Sequence, residues 1–224
     1  MDNEQLNIED IEINFEGRPW VFQFTGTMNC GKDTCAKLLK ELLEEKGLKV
    51  LCLNYADFLK AICTRNFGYE DSKKEEGRKI LQDFGTLVKE KERDFWIHTV
   101  FHFFDLMRFD YDAFIIADCR YEEEMQPKPY TFTYPVINIY VNRDVDVNEE
   151  YLKHKSEELA NKHDTSNFHW IVDNNGSLEE TKSQLNDMYD FWTENKKQCM
   201  VMQMMTIKDL LEKASEVENE ELQA

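Results

Sequence analysis

The stretch from residue 20 to residue 46, WVFQFTGTMNCGKDTCAKLLKELLEEK, constrains the fold more than any other part of the sequence. It contains Gly26, then four residues, then Gly31 and Lys32, with Asp33 and Thr34 directly after. This order fits the P-loop pattern GxxxxGK followed by Ser or Thr, except that Asp33 takes the position of the hydroxyl residue. The match predicts a loop that binds the phosphates of a nucleoside triphosphate.

The residues on both sides of this loop strengthen the prediction. Before it, the segment 21–25 is typical of a buried strand. After it, apolar residues recur at helical spacing, and Gly47 can end the helix that carries them: Ala36, Leu38, Leu39, Leu42 and Leu43. A strand, a glycine-rich loop and a helix in this order are the context in which a P-loop binds phosphate.

The chemistry of phosphate binding explains the residue types in the loop. Glycines let successive backbone amides point at one phosphate, and the following helix adds its positive N-terminal end. We therefore expect ATP to contact Gly26, Asn29, Cys30 and Gly31, with Lys32 supplying a charge for the outer phosphates.

Asp33 and Thr34 follow the lysine, where oxygen ligands can reach the Mg²⁺ that accompanies ATP. The Asp33 carboxylate would repel the γ-phosphate without a metal between them. We therefore predict that Asp33 acts through Mg²⁺ or through a water that Mg²⁺ holds.

Length and composition indicate one ordinary domain with appendages. The chain has 224 residues and 42% apolar content, which suffices for a core. We expect an N-terminal extension over 1–18, a P-loop domain over 19–197 and a Met-rich, acidic helix over 198–224. That helix either docks a partner or a second copy, as in a homodimer, or folds back on its own domain. The sequence has no membrane-spanning run and no signal peptide, so we expect a cytoplasmic protein, in the host cytoplasm if it is viral.

The charge of the chain excludes some classes of partner. A net charge of −18 argues against binding a nucleic-acid polymer, which requires a basic surface. All seven arginines lie between Arg18 and Arg143, where they can form bidentate contacts with phosphate. Six scattered cysteines without a CxxC pair indicate neither a zinc site nor a disulfide framework.

Strand and helix patterns alternate along the chain. This alternation predicts a three-layer α/β P-loop NTPase fold with a mostly parallel sheet and helices on both faces. Strands are predicted at 49–55, 112–118 and 135–141 in addition to the one before the P-loop, and a last strand and turn at 169–176. Helices are predicted at 57–66, from about 72, at 94–109 and after Ser177. Ligands of such sheets bind at the carboxyl ends of the strands.

Asp118, Cys119 and Arg120 come at the carboxyl end of the predicted strand 112–118. There, Asp118 can hold Mg²⁺ directly or through water, and Arg120 can contact a phosphoryl group during transfer. The alternative is an ion pair at the end of the strand.

Two segments before that strand offer polar groups for an acceptor. One contains Asp57 and Lys60 next to Tyr55, and the other contains Arg78, Gln82, Gly85, Arg93 and Trp96. Gly85 weakens a helix by about 1 kcal/mol, so either a substrate or a neighbouring helix must approach its backbone. Tyr55 or Trp96 could stack on a base.

Six sequence blocks then resemble the deoxynucleoside monophosphate kinases of tailed phages. The blocks occur in the same order between residues 20 and 195: GTMNCGKDT, LQDFGTLVKEKERDFW, DAFIIADCRYEEEM, VINIYVNR, HKSEE and DNNGSLEE. The resemblance implies transfer of the ATP γ-phosphoryl group to a deoxynucleoside monophosphate, on a nucleoside monophosphate kinase fold with a lid. Because animal phosphomevalonate kinases share GKD, a kinase for another small phosphorylated metabolite is the first alternative. A non-catalytic nucleotide-binding assembly or regulatory protein is the second.

The resemblance also implies roles for particular residues. Lys32 would hold the β- and γ-phosphates, and Arg120, Arg78 and Arg93 would contact the acceptor and the transferred group. The segment from Arg143 to Asp164 would form the lid, so that Arg143 would contact ATP. The N-terminal extension and the C-terminal helix lie outside the family pattern.

Overall fold

A five-stranded parallel sheet forms the centre of the computed structural model. The structure describes residues 17–70, 74–127, 130–145 and 168–195, and at residues 74, 75, 78 and 132 it describes the backbone alone. The order across the sheet is β2-β3-β1-β4-β5, and all neighbouring strands run parallel. The strands are β1 (Trp20–Thr25), β2 (Val50–Cys52), β3 (Ala113–Ile116), β4 (Val136–Asn142) and β5 (Trp170–Asp173).

Helices connect these strands and confirm the predicted α/β fold. They are α1 (Lys32–Glu45), α2 (Tyr55–Phe67), α3 (Lys74–Lys91), α4 (Phe95–Met107), the short α5 (Glu122–Met125) and α6 (Leu178–Glu194), with a 3₁₀ turn at Tyr130–Phe132. Within the described residues, each helix is too short or too polar to cross a membrane.

Both faces of β1 are buried, as expected for a central parallel strand. Because side chains alternate along a strand, Phe22 and Phe24 face the core formed with α1 and α6, while Val21 faces the core formed with α4. In the second core the rings of Phe104 and Phe114 stack with centroids 4.0 Å apart. The sheet therefore lies between two helical layers.

Two elements differ from the prediction. The second strand ends at Cys52 instead of residue 55, because the chain turns into α2, and the Asn54 amide donates to the Asp57 carboxylate at 2.8 Å. Helix α4 buries one broad face rather than several sides: Leu106 is 76% exposed, while Trp96, Ile97, Val100, Phe101 and Phe104 are buried.

Because the strands are parallel, the carboxyl ends of β1, β3, β4 and β5 lie at one edge of the sheet. The P-loop follows β1, Asp118 follows β3, Arg143 follows β4 and Asn174 follows β5. The N-terminal extension (1–18) lies outside the described residues except for 17 and 18. The C-terminal helix (198–224) and all but the first residues of the expected lid (143–164) lie outside them too.

Candidate active site

The P-loop has the backbone conformation that its glycines predict. Gly26 and Gly31 have φ angles of 152° and 100°, and Asn29 has a φ of 63°. A side chain on Gly26 would lie 2.6 Å from both the Cys30 Sγ and the Val141 carbonyl oxygen. Glycine is therefore required at residue 26 for space as well as for conformation.

The Lys32 side chain reaches back across the loop. Its Nζ donates to the carbonyl oxygens of Gly26 and Thr27 at 2.6 Å and 2.9 Å. These bonds hold the ammonium group against the backbone that is expected to surround the phosphates. The lysine therefore lies beside the loop that is predicted to bind the phosphates.

Asp33 and Thr34 lie in the first turn of α1, and both are exposed. A carboxylate and a hydroxyl are oxygen ligands of the kind Mg²⁺ accepts, and Mg²⁺ in phosphate sites takes most of its ligands from phosphate and water. In the part of the chain that the structure describes, no three His, Cys, Asp or Glu side chains form a metal site by themselves. The donor set fits a metal that arrives with a nucleotide.

Asn174 contacts the P-loop and was missed by the sequence analysis. It follows β5, is 6% exposed, and donates through Nδ2 to the Cys30 carbonyl oxygen at 2.8 Å. Its Oδ1 accepts from the Thr181 hydroxyl of α6 at 3.0 Å. In the sequence Asn174 lies within the block DNNGSLEE at the end of the last strand, but neither feature indicates a contact with the P-loop.

Asp118 joins the end of β3 to the start of α2. Its two carboxylate oxygens accept from the backbone amides of Tyr55 and Ala56 at 2.9 Å and 3.0 Å. Burial raises the pKa of Asp118, while the two amides and the positive charge of Arg120 lower it. A carboxylate in this position is stabilised by the positive end of α2, and its proposed contact with Mg²⁺ would use the remaining lone pairs.

Glu124, which was also not predicted as a site residue, holds the backbone around Arg120 in place. It is 4% exposed, and its Oε2 accepts from the amides of Arg120 and Tyr121 at 2.7 Å and 3.1 Å. Its other oxygen lies 3.9 Å from the Lys89 ammonium group. Burial raises the pKa of Glu124 to about 8, against the lowering effect of Lys89. The spacing of Tyr121 and Glu124 at the start of α5 is the one sequence signal for this contact.

A buried polar network lies beneath this edge of the sheet. The Tyr55 hydroxyl donates to Gln23 Oε1 at 2.6 Å, and Gln23 Nε2 donates to Asn138 Oδ1 at 3.2 Å. The Asn138 backbone amide donates to His169 Nδ1 at 2.8 Å. Tyr55 is only 4% exposed, so its ring belongs to the core rather than to a surface on which a base could stack.

The predicted acceptor residues lie in different environments. Trp96 is 4% exposed and meets the rings of Phe84 and Phe95 edge-on. A side chain on Gly85 would lie 3.3 Å from Leu59, which favours the helix crossing over a substrate as the reason for this glycine. Asp57 caps α2, Lys60 is half-buried on α2, and Gln82 is exposed on α3.

The arginines expected at the acceptor and the lid come from separate segments of the chain and lie in different environments. Arg93 is 76% exposed and lies 3.6 Å from the Glu123 carboxylate, beside a cavity of about 300 Å³. Arg120 is half-buried, and Arg143 Nη1 lies 3.9 Å from the position of a side-chain carbon on Gly31. Arg78 lies on α3, where the structure describes its backbone alone.

Comparisons with known proteins identify a family and several structural neighbours. A family model described as deoxynucleotide monophosphate kinase matches residues 54–185, more than half of the chain. The match begins after the P-loop, so the loop and the match are separate observations. No curated protein matches the sequence.

Solved structures with a similar fold include two kinases. The APS kinase CysC from Mycobacterium tuberculosis, in complex with AMPPNP and APS, is 16% identical with a TM-score of 0.43, and the alignment covers 77% of this chain and 98% of that one. Shikimate kinase from Acinetobacter baumannii, in complex with shikimate, is 14% identical with a TM-score of 0.42, covering 81% of this chain and 97% of that one.

Proposed function

Because this chain belongs to the deoxynucleotide monophosphate kinase family, we propose that it transfers the γ-phosphoryl group of ATP to a deoxynucleoside monophosphate. The products are ADP and a deoxynucleoside diphosphate. The observation that carries the proposal is the P-loop at the end of the central strand, with the Lys32 ammonium group held inside it. The family match supports a kinase, and the loop supports a nucleoside triphosphate as the donor.

The donor side of the reaction depends on the P-loop and α1. The backbone amides of the loop and the N-terminal end of α1 bind the phosphates, and Lys32 exchanges its two carbonyl partners for the β- and γ-phosphate oxygens. Arg143, beside Gly31, adds a second cation on this side. Mg²⁺ would be held by Asp33 and Thr34, with Asp118 as a further ligand or a partner of its water, and when bound supplies neutralisation of phosphate charge.

The acceptor side uses arginines to offset the charge of a second phosphate. Arg120, Arg78 and Arg93 bind the acceptor phosphate and the group in transfer, and Asp57, Lys60 and Gln82 contact the rest of the acceptor. Arg93 must leave Glu123 to do so. A carboxylate 3.6 Å away keeps the guanidinium oriented until a phosphate with more charge replaces it.

Catalysis consists mainly of positioning and charge neutralisation. An oxygen of the acceptor phosphate forms a bond to the γ-phosphorus while the bond from that phosphorus to the bridging oxygen of ADP breaks. Both phosphates are anionic, so bringing them together requires cations on both sides of the transferred group. In this proposal the acidic chain supplies these cations from Lys32 and from the arginines named above.

The test is the release of ADP from ATP with a panel of acceptors. Deoxynucleoside monophosphates should accelerate release, and Lys32→Ala should abolish the acceleration. The matched control is Lys37→Ala, which removes an exposed lysine of α1 that pairs with Glu41 at 3.8 Å. If no nucleoside monophosphate accelerates release, or if Lys32→Ala retains full activity, the proposal is wrong. Acceleration by phosphomevalonate alone would favour the alternative metabolite kinase.

A further inference from the structure

We propose that Asn174 is a positioning residue for the phosphate donor, and that Thr181 holds Asn174 in its working orientation. The side-chain amide of Asn174 sets the direction of one peptide group of the P-loop. The inference rests on the proposed function in that the donor is taken to be ATP. It concerns donor binding and makes no assumption about the acceptor.

Asn174 connects the last strand to the first loop of the fold. Its backbone amide donates to the Asn142 carbonyl oxygen at 2.8 Å, which continues the pairing of β4 and β5 by one bond. This bond fixes the backbone from which the side chain extends. The side-chain Nδ2 then donates to the Cys30 carbonyl oxygen, 144 residues earlier in the chain.

The orientation of the Asn174 amide is determined by its two partners. A carbonyl oxygen can only accept, so the NH₂ end must face Cys30 and the oxygen end must face Thr181. Thr181 is fully buried, and its hydroxyl proton is shared between Asn174 Oδ1 at 3.0 Å and the Ser177 carbonyl oxygen at 3.1 Å. Replacing the hydroxyl with a methyl group would leave the Asn174 oxygen without its donor.

The bond to Cys30 determines where the next amide points. The Cys30 carbonyl and the Gly31 amide belong to one planar trans peptide group, so they point in opposite directions. With the carbonyl held by Asn174, the Gly31 N–H must point away from Asn174. An amide at this position of a P-loop is one of those that bind phosphate.

The Cys30–Gly31 peptide group comes just before the first turn of α1, outside any helix or strand. It follows Asn29, which has a φ of 63°, and Gly31 itself has a φ of 100°. Glycine at residue 31 also makes room for the contact, because a side chain there would lie 2.3 Å from Asn174 Nδ2. The motif glycine and the distant asparagine therefore depend on each other.

The experiment uses the full chain and four substitutions. Asn174→Ala removes both contacts, Thr181→Val removes the hydroxyl at nearly constant volume, and Thr181→Ser keeps it. The matched control is Thr193→Val, because the Thr193 hydroxyl donates to the carbonyl oxygens of Tyr189 and Asp190 in its own helix. The measurements are the Kd for ATP by calorimetry and the separate KM values for ATP and for the acceptor.

We expect Asn174→Ala to weaken ATP binding about tenfold, the effect of losing one buried hydrogen bond that orients a binding group. Thr181→Val should weaken it in the same direction, and Thr181→Ser should restore it. The KM for the acceptor should stay unchanged, which separates a donor-positioning role from general loss of structure. Thr193→Val should bind ATP as the unmodified chain does.

Several results would overturn the inference. Unchanged ATP affinity in Thr181→Val decides against it, as does an equal rise in the KM values for ATP and acceptor. If Asn174→Ala does not fold, the pair Thr181→Val and Thr181→Ser decides alone. A chain that binds ATP but phosphorylates no acceptor refutes the proposed function and leaves this inference intact, whereas a chain that does not bind ATP refutes both.

Discussion

Replacing the buried carboxyl of Glu124 should change how the stability of this protein depends on pH. The carboxyl lies between Lys89 of α3, Asp118 at the end of β3 and the two amides that it accepts from. Glu124→Gln keeps an oxygen for the amides of Arg120 and Tyr121 and removes the titration. The stability of the variant should therefore lack one pH-dependent contribution that the natural chain has.

The sign and size of this contribution follow from the pKa of the group. Burial raises the pKa of Glu124 from 4.5 in the unfolded chain to about 8 in the folded protein. Between these two values the folded protein keeps a proton that the unfolded chain has lost, so stability falls as pH rises. The fall is about 1.4 kcal/mol per pH unit, or about 3 kcal/mol from pH 5.5 to pH 7.5.

Urea unfolding of both chains at pH 5.5, 6.5 and 7.5 measures the difference. The free energy of unfolding of Glu124→Gln should rise relative to the natural chain by about 1.4 kcal/mol per pH unit, because all other titrating groups cancel in the comparison. The control is Glu90→Gln, which removes an exposed carboxylate of α3. Parallel pH dependences for the natural chain and Glu124→Gln would refute the reasoning.

Two further substitutions test the P-loop and the buried network. Gly26→Ala places a carbon 2.6 Å from the Val141 carbonyl oxygen and should abolish ATP binding. Gly47 has a φ of 84°, and a side chain there would meet no described atom within 4 Å, so Gly47→Ala should bind ATP normally and lose only about 1–2 kcal/mol of stability. Equal ATP affinity in the two variants would contradict this expectation. Burial lowers the pKa of His169 to about 4, so below pH 6.5 the unfolded chain binds a proton that the folded protein does not. The free energy of unfolding should therefore fall by about 1.4 kcal/mol per pH unit as the pH drops from 6.5 to 4.5, and His169→Asn should remove this fall. An unchanged acid dependence in that variant would mean that His169 is protonated in the folded protein.

The parts of the fold that depend on local pattern were predicted from the sequence. The buried strand, the glycine loop and the amphipathic helix around Lys32 lie where the sequence indicated, since each follows from short-range spacing. The strand order was not predicted, because pairing depends on contacts between residues far apart in the chain. The early end of β2 at Cys52 has the same origin, since Asn54 also accepts the Ala117 amide at 2.8 Å.

The candidate site was predicted less completely than the fold. The roles of Lys32 and Asp118 stay predictions from residue type, while Tyr55 and Trp96, suggested as stacking surfaces, are buried in the core. Glu124 and Asn174 lie within blocks that carry the family resemblance, but their contacts with Arg120 and Cys30 appear only after folding. A polar residue that holds a site in place is defined by what lies next to it in space.

The position of β1 in the sheet has a consequence for the order in which the protein is made. This strand is synthesised first among the five, yet it pairs with β3 and β4, which end at residues 116 and 142. The contact from Asn174 to the P-loop comes later still. A chain emerging from the ribosome therefore carries the P-loop motif long before the loop has its folded surroundings. Pairing between strands that are this far apart in the sequence is also slow. Nucleotide binding during translation would report that β5 has joined the sheet.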